Sequence, residues 1–69
     1  MNVRLNGRAH ELEAVATLRD AVKLVAGEPG SERGIAVALN GEVVARSRWD
    51  ETRLSADDRV EVLRAVGGG

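Results

Sequence analysis

Polar and apolar positions alternate over residues 2–6, which places Val3 and Leu5 on one face of a strand. Asn6-Gly7 follows. Both residues tolerate positive φ, so the pair predicts a type I′ hairpin turn. Residues 8–13 then return as a second strand, with His10 and Leu12 on one face. The period changes after Thr17. Leu18, Ala21, Val22 and Val25 recur at the i, i+3, i+4, i+7 spacing of a helix with one buried stripe, which predicts a helix over 18–26. The Thr17 hydroxyl is placed to cap a backbone N–H, and Asp20 lies in the first turn, where the helix dipole favours negative charge. Gly27 suits the position just past the last turn, and Pro29 prevents the helix from resuming.

The rest of the chain reads as strands and turns. Residues 28–34 form a polar loop, where disorder within the body of the domain is expected. Residues 35–39 are apolar throughout, which fits a central strand buried on both faces, or one whose outer face meets a partner. Asn40-Gly41 repeats the hairpin signal, and residues 42–46 form the next strand. Residues 47–54 make a connection with a short turn of helix, in which Trp49 is expected to anchor the segment by packing. A turn at 56–58 leads to a last strand over 59–66. One helix cannot cover both faces of a sheet. The simplest arrangement is an α+β layer pair: a mixed four- to five-stranded sheet with Leu18, Val22 and Val25 packed across one face. That is the ubiquitin-like β-grasp order, with the first and last strands side by side at the centre. It makes residues 1–66 the domain and 67–69 a flexible C-terminal tail.

Composition narrows the function. A chain of 69 residues is one domain with a thin core, since a domain of this size buries only about 60% of its unfolded surface. With no cysteine, there is no disulfide, zinc–thiolate site or cysteine nucleophile. The net charge is -1 and the signs alternate along the chain, so no coherent basic face is available for a nucleic-acid duplex. Trp49 is the sole aromatic residue, too few for the stacking platforms of a single-strand binder. No run approaches the roughly 18 apolar residues of a membrane helix, and Met1 to Leu5 shows no signal-peptide core. A cytoplasmic location is therefore expected, in keeping with the absence of cysteine.

No catalytic set emerges. His10 is the only histidine, and Ser31, Ser47 and Ser55 fall in loops or turns with nothing to bring a base against them. Asp57, Asp58 and Glu61 form an acidic turn without metal-ligand spacing. No helix follows Gly67 to Gly69, so these glycines make no phosphate cradle. They do make an unusual terminus. Glycine has no Cβ, and a glycine tail fits a channel too narrow for side chains. Three residues reach about 10 Å, far enough to carry the Gly69 carboxylate into a site on another protein. The same composition also fits a frayed terminus without function.

The segment from Ala38 to Trp49 resembles the ThiS family, the bacterial sulfur carriers of thiamine biosynthesis. That family shows an apolar strand, Asn-Gly or a similar pair, two apolar residues, then Pro-Arg-Ser-x-Trp. Arg46, Ser47 and Trp49 match, and Ala45 replaces the proline. Thr52 and Leu54 match the segment that follows. Ser55 to Val62 is similar to Leu-x-Asp-Gly-Asp-x-Val-Glu, with Asp57 where glycine is commoner. Ala65 to Gly69 is similar to Ala-Val-Gln-Gly-Gly, with Gly67 in place of glutamine. The resemblance spans the chain and is most specific from Val37 onward.

The resemblance implies a protein cosubstrate, not an enzyme. A ThiF-type adenylating enzyme would use ATP to activate the Gly69 carboxylate, so the carrier needs no cofactor of its own. Sulfur from a persulfide donor would displace AMP to leave a thiocarboxylate, and a ThiG-type thiazole synthase would take that sulfur for the thiazole ring. Gly67 and Gly68 would thread into each partner. Leu63, Ala65 and Val66 are candidates for docking beside the tail. Leu63 and Ala65 are either exposed there or covered by the Trp49 segment. Arg46 pairs either with a carboxylate of this chain, such as Asp50, or with a partner. Two other functions compete: the small subunit of molybdopterin synthase, which lacks the Arg-Ser-x-Trp segment, and a ubiquitin-like binding module that carries no sulfur.

Overall fold

A computed structural model describes residues 1–27 and 34–64 of the chain. The expected loop, but for Gly34, and the tail with its docking candidates Ala65 and Val66 lie outside the described residues. Strands β1 (Asn2–Leu5) and β2 (Arg8–Glu11) form an antiparallel hairpin. Asn6 and Gly7 turn it with φ of 52° and 83°, both positive as a type I′ turn requires. Helix α1 (Leu18–Ala26) follows, then β3 (Ile35–Leu39), the short β4 (Glu42–Val43), a 3₁₀ turn (Arg46–Glu51) and β5 (Arg59–Arg64). The five strands make one sheet in the order β2-β1-β5-β3-β4. β1 and β5 run parallel at its centre, and the other pairs are antiparallel.

The helix begins and ends where its punctuation predicts. The Asp20 carboxylate accepts from the backbone N–H of Thr17 over 2.8 Å and from its hydroxyl over 3.2 Å, which ties the N-terminus down. Gly27 has φ 82° and donates its N–H to the Lys23 carbonyl, closing the last turn. Leu18, Ala21 and Val22 are fully buried. Val25, expected on the same stripe, is 37% exposed. The stripe instead follows the i, i+4 row through Leu18 and Val22 to Ala26, which packs against the core.

The inner face of the sheet supplies the other half of the core through Val3, Leu5, Val37, Val60 and Val62, with Leu54 and Trp49 completing it. β3 departs from the first of its two expected forms. Val37 is buried on the helix side, but Ala36 is exposed and Ala38 half-buried on the other, so the strand is not buried on both faces. β4 is shorter than the expected 42–46. The Val44 N–H still donates to the Val37 carbonyl over 2.9 Å, and the chain then enters the 3₁₀ turn from Ala45, at φ -62° and ψ 143°.

Candidate functional site

β5 is the element on which the proposed chemistry depends, because residues 65–69 follow it directly. Its residues alternate: Val60 and Val62 are buried against the helix layer, while Arg59, Glu61 and Leu63 face outward. Leu63 is 66% exposed. The Trp49 segment does not cover it. Trp49 sits on the helix side at 1% exposure, with the Arg19 guanidinium 5.4 Å from its ring centroid. Trp49 is thus the packing anchor that the sequence suggests. Its neighbour Asp50 accepts from Arg19 Nε over 2.6 Å, which ties the 3₁₀ turn to the helix.

Leu63 shares the outer face with other apolar residues, among which the Glu61 carboxylate stands opposite Ala38. The register sets Leu63 opposite Ala36 and sets Ala38 opposite Val43, all on the outer face, and Val43 is 79% exposed. Sequence reasoning named Leu63, offered the outer face of 35–39 as one that meets a partner without singling out Ala36 and Ala38, and missed Val43. The signal was the unbroken apolar run of 35–39: a strand in an outer layer of a two-layer fold has no core on its far side, so its alternate residues emerge.

Side-chain amides secure β5 along both edges. On the β3 side, Asn40 Oδ1 accepts from the Arg59 N–H over 2.9 Å and the Asn40 N–H donates to the Arg59 carbonyl over 2.7 Å. On the β1 side, Asn6 Oδ1 accepts from the Val62 N–H over 2.8 Å, and its Nδ2 donates to the Val62 carbonyl over 3.4 Å. The asparagines of the two hairpin turns therefore both reach the same strand.

The acidic turn is built around Asp58. Asp58 accepts from the Ser55 N–H over 2.7 Å and from Asn40 Nδ2 over 3.0 Å, so the acidic turn serves its own geometry. Asp57, where the family pattern has glycine, takes φ 69°. His10 is half-buried on β2 opposite Val3, and Ser47 is exposed in the 3₁₀ turn. Among the described residues no cluster of His, Cys, Asp and Glu could hold a metal ion, and no helix is long and apolar enough to cross a membrane. A cavity of about 270 Å³ lined by Leu12, Glu13, Val15, Ala16, Asp20 and Leu24 offers neither a nucleophile nor a ligand set.

A five-stranded mixed sheet with one helix across one face, and its last strand at the centre, defines a ubiquitin-like β-grasp domain. The ThiS family model matches residues 3–69, and the chain belongs to that family of sulfur carriers for thiamine biosynthesis. The crystal structure of the thiamine biosynthesis protein ThiS from Geobacter metallireducens is similar, with a TM-score of 0.77 and 30% identity over all of both chains. SAMP1 from Haloferax volcanii shares the fold at a TM-score of 0.61 and 21% identity, over 99% of this chain and 97% of that one. A thiazole synthase of Magnetococcus marinus is 36% identical over 69 residues, all of this chain and 20% of that protein. The chain thus spans about a fifth of the length of the curated relative it matches.

Proposed function

We propose that this protein carries sulfur as a thiocarboxylate on Gly69, the group that a thiazole synthase consumes. The carrying observation is family membership over residues 3–69, together with a similar segment inside a protein named thiazole synthase. The second point supports the partner: a carrier and the enzyme that discharges it gain from a shared chain through high effective concentration.

The chemistry is a sequence of acyl transfers. A Gly69 carboxylate oxygen attacks the α-phosphorus of ATP on a ThiF-type enzyme, and pyrophosphate leaves. The terminal sulfur of a persulfide attacks the resulting acyl-adenylate carbonyl, and AMP leaves. A thiol on a partner then attacks the donor-side sulfur of the acyl disulfide, forming a disulfide with the donor cysteine as the thiocarboxylate leaves. Adenylation supplies the leaving group that a carboxylate lacks, and every catalytic group resides on a partner. The residues of this chain have two duties. The outer-face patch of Leu63, Ala36, Ala38 and Val43 docks, with Ala65 and Val66 continuing toward the tail, and Gly67 and Gly68 pass through a channel sized for backbone. All of this chemistry takes place in the cytoplasm.

Intact-mass measurement of protein isolated from its native host tests the proposal. A population heavier by sulfur in place of one oxygen, with the change mapped to the Gly69 peptide, is expected. A population carrying only the carboxylate, and no pyrophosphate exchange with the adenylating enzyme of the same host, would favour a binding module that carries no sulfur.

A further inference from the structure

We propose that Arg4 and Arg59 together receive a carboxylate from an acidic side chain of the adenylating enzyme, and so help to set which partner the carrier accepts. The inference rests on the carrier function proposed above.

Alternation places both arginines on the outer face of the sheet. Val3 and Leu5 of β1 and Val60 of β5 are buried against the helix layer, so Arg4 and Arg59 point the other way, and both are exposed. The parallel register then sets Arg4 directly beside Arg59, on strands about 4.8 Å apart. Like charges so placed repel and weaken the sheet. Carboxylates are at hand to relieve this. Glu61 stands on the same face of β5, and Asp57 lines a cleft with Arg4. Yet among the described residues no carboxylate forms an ion pair with either arginine, whereas Arg19 and Arg48 are paired with Asp50 and Glu51. Arg4 Nη1 donates instead to the Gly7 carbonyl over a long 3.3 Å.

The surface dips where the two arginines meet. A cleft of about 200 Å³ is lined by Arg4, Asn6, Gly7, Arg59, Val60 and Glu61. Guanidinium forks match a carboxylate in shape as well as in charge. The Glu61 carboxylate on the rim opposes a multiply charged phosphate more than a single carboxylate, which favours an acidic side chain over a nucleotide. Position ties this chemistry to docking. Arg59 and Leu63 share one face of β5, four residues or about 13 Å apart. An interface of ordinary size covers about 800 Å² on each partner, a disc about 30 Å wide. A partner seated on the exposed Leu63 therefore covers Arg59 and its neighbour Arg4 as well. Charges placed in this way steer encounter and reject wrong partners.

The test compares Arg4→Glu, Arg59→Glu and Arg53→Glu in the full-length protein, by ATP–pyrophosphate exchange with the ThiF-type enzyme of the same host. Arg53 is an exposed arginine outside the sheet, so its reversal changes net charge equally and leaves the pair intact. Arg4→Glu and Arg59→Glu should each raise the carrier's KM about tenfold with kcat within about twofold, and Arg53→Glu should change KM less than about twofold. Each reversal sets opposite charges side by side, so the thermal midpoint should stay at or above the wild-type value and exclude unfolding as the cause. The wild-type KM should rise about fivefold between about 0.05 and about 0.5 M salt, and the rise should shrink to about twofold in Arg4→Gln and Arg59→Gln. These neutral variants carry the test if a reversed charge unfolds the domain. A KM within twofold of wild type in all the Arg4 and Arg59 variants, or an equal rise in Arg53→Glu, overturns the inference while the carrier reading stands. So does saturable binding of inorganic phosphate at the Arg4 and Arg59 amides, followed by nuclear magnetic resonance, which would assign the cleft to a small anion. A wild-type protein that is never adenylated overturns the carrier reading itself, and this inference with it.

Discussion

The indole N–H of Trp49 donates to the carbonyl oxygen of Val44 over 3.0 Å, and that bond joins the 3₁₀ turn to the end of the β3–β4 hairpin. Trp49 is 1% exposed and among the largest fully buried side chains, so it is both a wedge and a tie. Trp49→Ala should destabilise the domain by about 3–5 kcal/mol, close to the whole stability of a chain this small. Trp49→Phe keeps most of the volume and orphans the Val44 carbonyl, for a loss of about 1–3 kcal/mol. Urea unfolding followed by far-ultraviolet circular dichroism measures both. A midpoint for Trp49→Ala equal to wild type would show that the turn packs without it.

Two valines of one helix make a paired test of the packing. Val22 is 0% exposed and Val25 is 37% exposed. Val22→Ala should cost about 1–3 kcal/mol, whereas Val25→Ala should cost less than about 1 kcal/mol. Equal losses in denaturant midpoint would contradict the Leu18–Val22–Ala26 stripe.

Asp57 occupies φ 69°, a conformation that L residues resist by roughly 1–2 kcal/mol and that aspartate tolerates better than most. Asp57→Gly should be at least as stable as wild type. Asp57→Val should lose about 1–2 kcal/mol, because a β-branched side chain crowds the backbone there. The thermal midpoint of Asp57→Gly should lie at or above the wild-type value and that of Asp57→Val below it, and the reverse order would mean that the turn relaxes to negative φ.

Leu63 and Val43 test the docking patch. Both are mostly exposed, so Leu63→Glu and Val43→Glu should change stability by no more than about 0.5 kcal/mol. Each should raise the carrier's KM in adenylation about tenfold, as the loss of a buried interface anchor does. An unchanged KM in both variants would place the docking surface elsewhere.

The reactive group is tested by moving it. One alanine added after Gly69 shifts the carboxylate about 3.5 Å along an extended chain, and Gly69 deletion shifts it as far the other way. Either change should abolish pyrophosphate exchange while the circular dichroism spectrum stays native. Gly68→Val should be nearly as harmful, since a β-branched side chain fills a channel sized for backbone. His10→Ala and Ser47→Ala should retain activity. Normal turnover by the extended variant is the result that sinks the carrier proposal.

Local chemistry made much of this fold readable from the sequence. Thr17, Asp20 and Gly27 bound the helix at the residues where the structure begins and ends it, and both Asn-Gly pairs turn with positive φ. The errors share one cause, which is that periodicity carries no tertiary information. It could not show that the row through Ala26 faces the sheet and Val25 does not. Nor could it show that Trp49 draws the Val44 carbonyl out of the strand ladder and leaves β4 two residues long. The outer-face apolar positions proposed for docking were half legible: Leu63 followed from alternation in β5 and the run of 35–39 suggested an outer face that meets a partner, whereas setting Ala36 beside Leu63 required the pairing register. The grips of Asn6 and Asn40 were hidden behind their turn signal, because a backbone preference explains those asparagines before their side chains are considered.

The parallel pairing of β1 with β5 also governs how the chain folds. Asn6 and Val62, which bond to each other, stand 56 positions apart, so the middle of the sheet closes only when nearly the full chain is available. The β1–β2 hairpin and the helix can form early from near neighbours, but neither gains its sheet partner until β5 arrives. Contacts this distant slow folding, because the entropy of closing a long loop is lost before any of them stabilises the chain. During synthesis the ribosome would release the β1–β2 hairpin and the helix as a loose pair. The domain would condense in one late step, when the segment that precedes the tail slides between the first strand and the third.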